Sequence, residues 1–293
     1  VGVTIQQGGQ TRTLRAGREI LLCSGAVNSP HLLQLSGIGP AAHLQSLSIS
    51  VAHDSPGVGQ NLSDHYVTRI QHRVTGETSL NQLARFPNYL PHVFRWLAKG
   101  DGALTFSAIT AMVFARSREG LAVPDLQYLF SPGSYTKTSG VLEREPGLSI
   151  NVCPARPDSR GTIMAESPDP SAPPVIRPNY LSAESDVQVM LSGVQQVRRI
   201  MQMDAIADAN VSETQPSRAI ETIDEMRNVA QSIGTTIYHP VGTCKMGEDP
   251  TAVVDSRLRV HGVGGLRVID ASVMPTLTTG NTNAPPIMIG EKG

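Results

Sequence analysis

Two stretches of the chain, one near each end, read as strand, turn and helix, and they frame a middle of different character. Near the start, Ile20-Leu21-Leu22-Cys23 is a short apolar run of strand type that stops at Ser24-Gly25-Ala26. Ser29-Pro30 follows as an N-cap with proline at the first helical position, leading into Leu32-Leu33-Gln34-Leu35. Near the end, Leu266 to Asp270 is a strand closing on an acid, and Pro286-Ile287-Met288-Ile289 begins a helix. This is the grammar of an α/β domain. A chain that leaves such a domain, builds a second and comes back predicts a discontinuous first domain.

The intervening pattern fills in the rest. Val1, Val3 and Ile5 alternate with small or polar residues, Gly8-Gly9 supplies a turn and Thr11 to Leu14 returns, which is a hairpin. After the Gly/Pro loop from Pro56 to Asn61 comes a mixed region running to about position 230. It holds strand-like pieces near Asp125 to Phe130 and Leu148 to Cys153, and proline-rich turns such as Ser167-Pro168-Asp169-Pro170. Between Asp186 and Met203, the spacing of Val187, Met190, Leu191, Val194, Val197 and Met201 predicts an amphipathic helix packed on a sheet.

Composition narrows the function classes. With 293 residues and a net charge of -1, and with no dense Lys/Arg run, the chain lacks the electrostatic footprint of a nucleic-acid or anionic-membrane binder. A small neutral substrate suits it better. No apolar run approaches the roughly 18 residues that span a bilayer, and no signal segment opens the chain. Cys23, Cys153 and Cys244 lie far apart without CxxC spacing, so neither a disulfide framework nor a zinc site is expected, and a cytoplasmic location is. Val1 at the start, and Glu291-Lys292-Gly293 after an apolar helical run, make both ends read as cut.

Few residues carry a chemical signal of their own. Gly37-Ile38-Gly39-Pro40-Ala41-Ala42 fits G-x-G-x-x-A, but it follows a helix rather than a strand and places a proline where backbone should meet phosphate. It reads as a helix-ending turn with Gly37 as the C-cap. There is no GxSxG nucleophile elbow, and no histidine pair has metal-ligand spacing. His65 follows Asp64, which could hold it. His239 sits in Tyr238-His239-Pro240-Val241-Gly242-Thr243-Cys244-Lys245-Met246-Gly247, where proline and small residues force an irregular backbone. Spacing alone favours a structural histidine there. What chemistry remains is a proton-accepting histidine working with a cofactor. Phe106, Trp96 and Tyr135 are candidates for an aromatic pocket around a quaternary ammonium, although plain packing is the commoner fate of such residues.

Four ordered blocks carry a family resemblance. They are Gly25 to Gly39, Pro56 to His65, the block around His239, and Leu266 to Glu291 with its Asp270-Ala271-Ser272 and Gly280-Asn281-Thr282-Asn283-Ala284-Pro285. Ser159-Arg160-Gly161 and Pro178-Asn179-Tyr180-Leu181 also agree. The sequence resembles the glucose-methanol-choline flavoprotein oxidoreductases, and within them the choline-dehydrogenase-like branch, which has Asn at the place of Asn281.

The resemblance implies an α/β flavin-binding domain, discontinuous and incomplete at the amino end, plus an α+β substrate domain with an antiparallel sheet. Residues 1–63 and 231–293 would form the first and residues 64–230 the second. The family's glycine-rich fingerprint lies further toward the amino end than this sequence reaches. The implied cofactor is FAD and the implied reaction is oxidation of a small primary or secondary alcohol, with oxygen or a quinone as electron acceptor. His239 resembles the family's base and Asn281 its hydrogen-bonding partner. Asp270, Ala271, Thr282 and Asn283 fall where the family contacts the flavin, and Asn283 is also placed to cap the last helix. A lyase on the same fold and an inactive fragment are the rival readings.

Overall fold

In the computed structural model, residues 2–136 and 140–293 are described, so Val1 of the expected hairpin lies outside them. The chain opens with β1 (Gly2–Gln7) and β2 (Gln10–Arg15), followed by β3 (Ile20–Leu22), α1 (Gly25–Leu35), β4 (Ile38–Gly39), α2 (Ala41–Ser46) and β5 (His53–Asp54). Then come β6 (Tyr66–Val74), α3 (Leu80–Leu83), α4 (Leu90–Lys99), β7 (Ala111–Ala115), β8 (Leu126–Ser131) and β9 (Gly147–Pro154). The hairpin β10 (Thr162–Met164) and β11 (Val175–Arg177) precedes α5 (Glu184–Ile200), α6 (Asp204–Ala207), β12 (Asn210–Gln215), α7 (Ile223–Ile233) and β13 (Thr235–Thr236). β14 (Leu266–Val268) and α8 (Ala284–Lys292) complete the chain.

These elements divide into two compact units. The first holds residues 1–64, 157–182 and 238–293, and the second residues 65–156 and 183–237.

In the first unit the two ends of the sequence meet: β14 pairs in parallel with β3, Leu266 opposite Ile20 and Val268 opposite Leu22. Leu33, Ile38, Val58, Cys244, Val253, Val254, Val260, Val268 and Val273 form the core beneath them. The helix after β3 starts earlier than its sequence suggests. Ser29-Pro30 is not its beginning, because α1 already runs from Gly25 and Pro30 lies inside it. Two tertiary contacts make this possible. The Asp270 carboxylate accepts from Gly25 N at 3.0 Å, placing negative charge at the positive end of the helix. Pro30 has no N–H to donate to Ala26 O, and the Thr243 hydroxyl donates to that carbonyl instead, at 2.6 Å. Gly37, in the left-handed region at φ +80, follows the C-cap Ser36 and ends the helix, as a turn rather than a phosphate loop.

Residues 157–182 sit in this first unit, although they fall within the stretch 64–230 that the sequence reading gives to the middle domain. The side chain of Gln34, buried on α1, explains their place: its Nε2 donates to Ile163 O at 3.1 Å and its Oε1 accepts from Ala165 N at 2.9 Å. Leu62 and Gly161 exchange both backbone hydrogen bonds. A Cβ at Gly161 would lie 2.2 Å from Arg177 O, so only glycine fits there.

The second unit is built on an antiparallel sheet in the order β12-β6-β9-β8-β7, with β13 pairing beside β12 on β6. α5 packs Val187, Met190, Val194 and Val197 onto one face. Gly193 lets it approach closely, since a Cβ there would lie 2.4 Å from Val152 Cγ1. α7 begins with a Thr222–Glu225 capping box and buries Met226, Val229 and Ala230. By contrast α4 buries none of its residues, and Phe94 and Leu97 on it are exposed. No helix among the described residues is long and apolar enough to cross a membrane.

Candidate active site

The site is assembled in the first unit by two crossing segments. Ser63 and Val241 exchange backbone hydrogen bonds at 3.0 and 2.9 Å, which lays the segment 61–64 alongside 239–242. Gly242, at φ +91, permits the close approach, because a Cβ there would meet Asn61 O at 2.6 Å. Asn61 Nδ2 in turn donates to Gly242 O and to Pro275 O.

This pairing delivers Asp64 to the backbone of His239. Asp64 Oδ1 accepts from His239 N at 2.8 Å and Oδ2 accepts from the Tyr180 hydroxyl at 2.5 Å. Tyr238, just before, has φ +62, a left-handed geometry that turns the chain into the histidine. The imidazole is half-buried. Burial pushes its pKa below the ordinary 6.5, and the nearby Asp64 carboxylate opposes that shift.

Asn281 lies next to the ring, its Nδ2 3.4 Å from His239 Nε2. In the tautomer with Nε2 unprotonated, the amide Nδ2 donates to it. An N–H donor and a proton acceptor therefore stand side by side, which is the pair of functions needed to polarise and deprotonate a hydroxyl group. His65, by contrast, is buried and its Nε2 is within hydrogen-bond distance of Ala155 O, at 3.0 Å.

The other expected positions divide. Asp270 is buried and its carboxylate is committed to protein: beyond Gly25 N, it accepts from Ser29 Oγ at 2.5 Å and from Ser272 N at 2.8 Å. Ala271 follows in a short 3₁₀ turn, and Thr282 is buried. Asn283 occupies the N-cap position of α8 but in helical geometry, with no side-chain cap bond, so it does not cap the helix as expected. Pro285 and Pro286 lack N–H groups, which leaves the amides of Asn283 and Ala284 at the positive end of α8.

Trp96 and Phe106 are exposed, while the face of the Tyr135 ring is covered by Arg69, whose Cζ is 4.9 Å from the ring centroid. Sequence reasoning missed Asp64 as a support for His239, and missed Tyr180 behind it. The pairing Asp64-His65 in sequence gave no sign that Asp64 accepts from His239 N, and the only hint to Tyr180 was its block.

Comparison with known proteins settles the family. Models of the GMC oxidoreductases match residues 1–67 and 157–290. The chain belongs to the GMC oxidoreductase family. It is 42% identical over 280 residues to the oxygen-dependent choline dehydrogenase of Pseudomonas savastanoi pv. phaseolicola, covering 95% of this chain and 49% of the relative. It is 40% identical over 296 residues to that of Brucella ovis, covering 100% and 54%. The chain thus spans about half the length of the curated relatives it matches. Among solved structures, it is similar to a variant of Aspergillus oryzae RIB40 formate oxidase with a TM-score of 0.90 and 26% identity, covering 99% of this chain and 56% of the other. Pyridoxine 4-oxidase from Mesorbium loti gives 0.84 and 26%, covering 99% and 53%. The fold is accordingly that of the family, an α/β flavin-binding domain with an α+β substrate domain on an antiparallel sheet, and the family's cofactor is FAD.

Proposed function

We propose that the protein containing this chain oxidises a primary or secondary alcohol with FAD, His239 accepting the hydroxyl proton. The observation that carries the reading is the juxtaposition of His239 Nε2 and Asn281 Nδ2 at 3.4 Å. The names of the relatives, choline dehydrogenases, agree with an alcohol as substrate.

The residues present fit the flavin at one end. The uncapped start of α8, with the amides of Asn283 and Ala284, is an electropositive point suited to the electron-rich edge of an isoalloxazine ring. Asp270 would serve indirectly, fixing the turn at Ala271 past which the ribityl and pyrophosphate part would run, and Thr282 and Asn283 would hold the ring. Bound FAD supplies the hydride acceptor.

The chain's own groups do the rest. Asn281 Nδ2 donates to the substrate oxygen and holds the developing alkoxide without titrating itself. His239 Nε2 takes the proton. Asp64, through His239 N, fixes the backbone from which the ring projects. The electron acceptor is oxygen or a quinone, and the cytoplasm is the compartment that suits the free thiols Cys23, Cys153 and Cys244.

The test is anaerobic reduction of the flavin by an alcohol. His239→Ala should retain flavin yet reduce it about a hundredfold more slowly or worse, the usual loss for a positioned base. Reduction at the parental rate would remove His239 from the mechanism, and a flavin that no alcohol bleaches would favour a lyase.

A further inference from the structure

Asp64 reaches the backbone of His239 with one carboxylate oxygen and is itself held through the other. Oδ1 accepts from His239 N at 2.8 Å, and Oδ2 accepts from the Tyr180 hydroxyl at 2.5 Å. The carboxylate is buried, so each donor offsets part of the cost of withdrawing it from water. Tyr180 thus stands two hydrogen bonds away from the backbone that carries the imidazole. All three residues belong to the first unit.

The backbone around Tyr180 is held in a costly form. Residues 179–182 make a turn, with Ser182 N donating to Asn179 O at 3.4 Å. Leu181, its third residue, has φ +59 where glycine or asparagine is usual, and its side chain is buried. On the other side Asn179 has φ +56, and its Nδ2 donates to Arg160 O at 3.0 Å. Tyr180 is therefore bracketed by two left-handed residues, one anchored in the core and one by its side chain. Among the described residues seven other than glycine have positive φ, and Asn61, Asn179, Leu181 and Tyr238 are four of them. These four lie in the segments that meet around Asp64, a concentration that marks geometry held for function.

A second grip runs beside the first. Arg160 Nε donates to Asn61 Oδ1 at 3.2 Å, and its Nη1 donates to Pro157 O and Ser159 O. Asn61 passes this contact on to Gly242 O and Pro275 O. The segment 157–182 therefore holds 61–64 at both ends, and 61–64 holds the segment of His239. Of the two grips, the one through Tyr180 ends on His239 itself.

We propose that Tyr180 is a positioning residue for His239: through Asp64 it fixes the backbone of the histidine and so keeps the imidazole opposite Asn281. Its bearing on catalysis rests on the reading of His239 as the base. The link also has an electrostatic side. Asp64 raises the imidazole pKa against the effect of burial. By donating to Oδ2, the phenol draws charge from that carboxylate and moderates its influence. The other polar groups that these segments bring toward His239 are the Tyr238 phenol just before it, the neutral Asn281 amide, and the Arg160 guanidinium, which is turned onto Asn61 and two carbonyls.

The experiment uses the FAD-loaded protein as its gene encodes it. Tyr180→Phe keeps the ring and removes only the hydroxyl. Anaerobic flavin reduction by an alcohol should retain its full flavin content but slow at its high-pH limit by about tenfold, the scale of loss when a reacting group is displaced. Its pH midpoint should rise, because Asp64 then acts on the imidazole with undiminished charge. NMR of isotope-labelled histidine reads the same midpoint without turnover, the His239 signal being the one that His239→Ala removes. In an Asp64→Asn background Tyr180→Phe should shift nothing, since the charge through which it acts is gone.

A midpoint that stays in place in Tyr180→Phe would overturn the proposal, and if the melting temperature falls alone the tyrosine is merely structural. So would an equal shift in the Asp64→Asn background, which would mean a route that bypasses the carboxylate. Should the NMR midpoint move as expected while no alcohol reduces the flavin, the link from Tyr180 to His239 stands and the oxidoreductase reading falls.

Discussion

The charge state of His239 is governed by two opposing neighbours, the apolar surroundings that desolvate it and the Asp64 carboxylate that favours its cation. A base works in its neutral form, so flavin reduction should rise with pH through the histidine pKa and level off above it. Because burial outweighs Asp64, the midpoint should lie below the ordinary 6.5. Asp64→Asn removes the charge that raises the pKa and should move the midpoint lower still, as read by anaerobic stopped-flow across pH. A midpoint that rises in Asp64→Asn would contradict this account of the electrostatics. At Asn281, alanine should slow reduction by about tenfold or more, whereas histidine, which supplies an N–H from the same place, should be milder. Normal reduction in Asn281→Ala combined with loss in Asn283→Ala would transfer the role to the second asparagine.

At the scale of elements, α1 shows why some of the fold was legible in the sequence and some was not. Local patterns marked β1, β2, β8, β9 and α5 correctly, because alternation and helical spacing record which face each element buries. The start of α1 was misread because Pro30 is tolerated inside the helix only through Thr243, a residue remote in sequence. That residues 157–182 group with the first unit was hidden for the same reason: Gln34 carries no local sign that its amide will bind Ile163 and Ala165. At the site, the sequence blocks pointed to His239 and Asn281, which the structure brings within 3.4 Å of each other, but Asp64 acquires its partners only in three dimensions. The Thr243 contact is measurable. Thr243→Val should destabilise the protein by ~1–3 kcal/mol, since it leaves the Ala26 carbonyl unsatisfied in a buried place. In a Pro30→Ala background, where residue 30 regains an N–H for that carbonyl, the same substitution should cost less, giving a coupling detectable by denaturant titration.

On the scale of the whole molecule, β7 is an outer strand of the large sheet among the described residues, and Met112, Val113 and Phe114 on it are each about half exposed. Such an edge templates association between chains. Val113→Lys should therefore raise the onset temperature of light scattering without changing the circular dichroism spectrum. A second consequence belongs to synthesis on the ribosome. The parallel pair β3 and β14 joins residues 20–22 to residues 266–268, whereas the second unit draws only on residues 65–156 and 183–237. During translation the sheet of the second unit can close while β3 still waits for its partner, so the first unit is the last to fold and its early segment the one most in need of a chaperone.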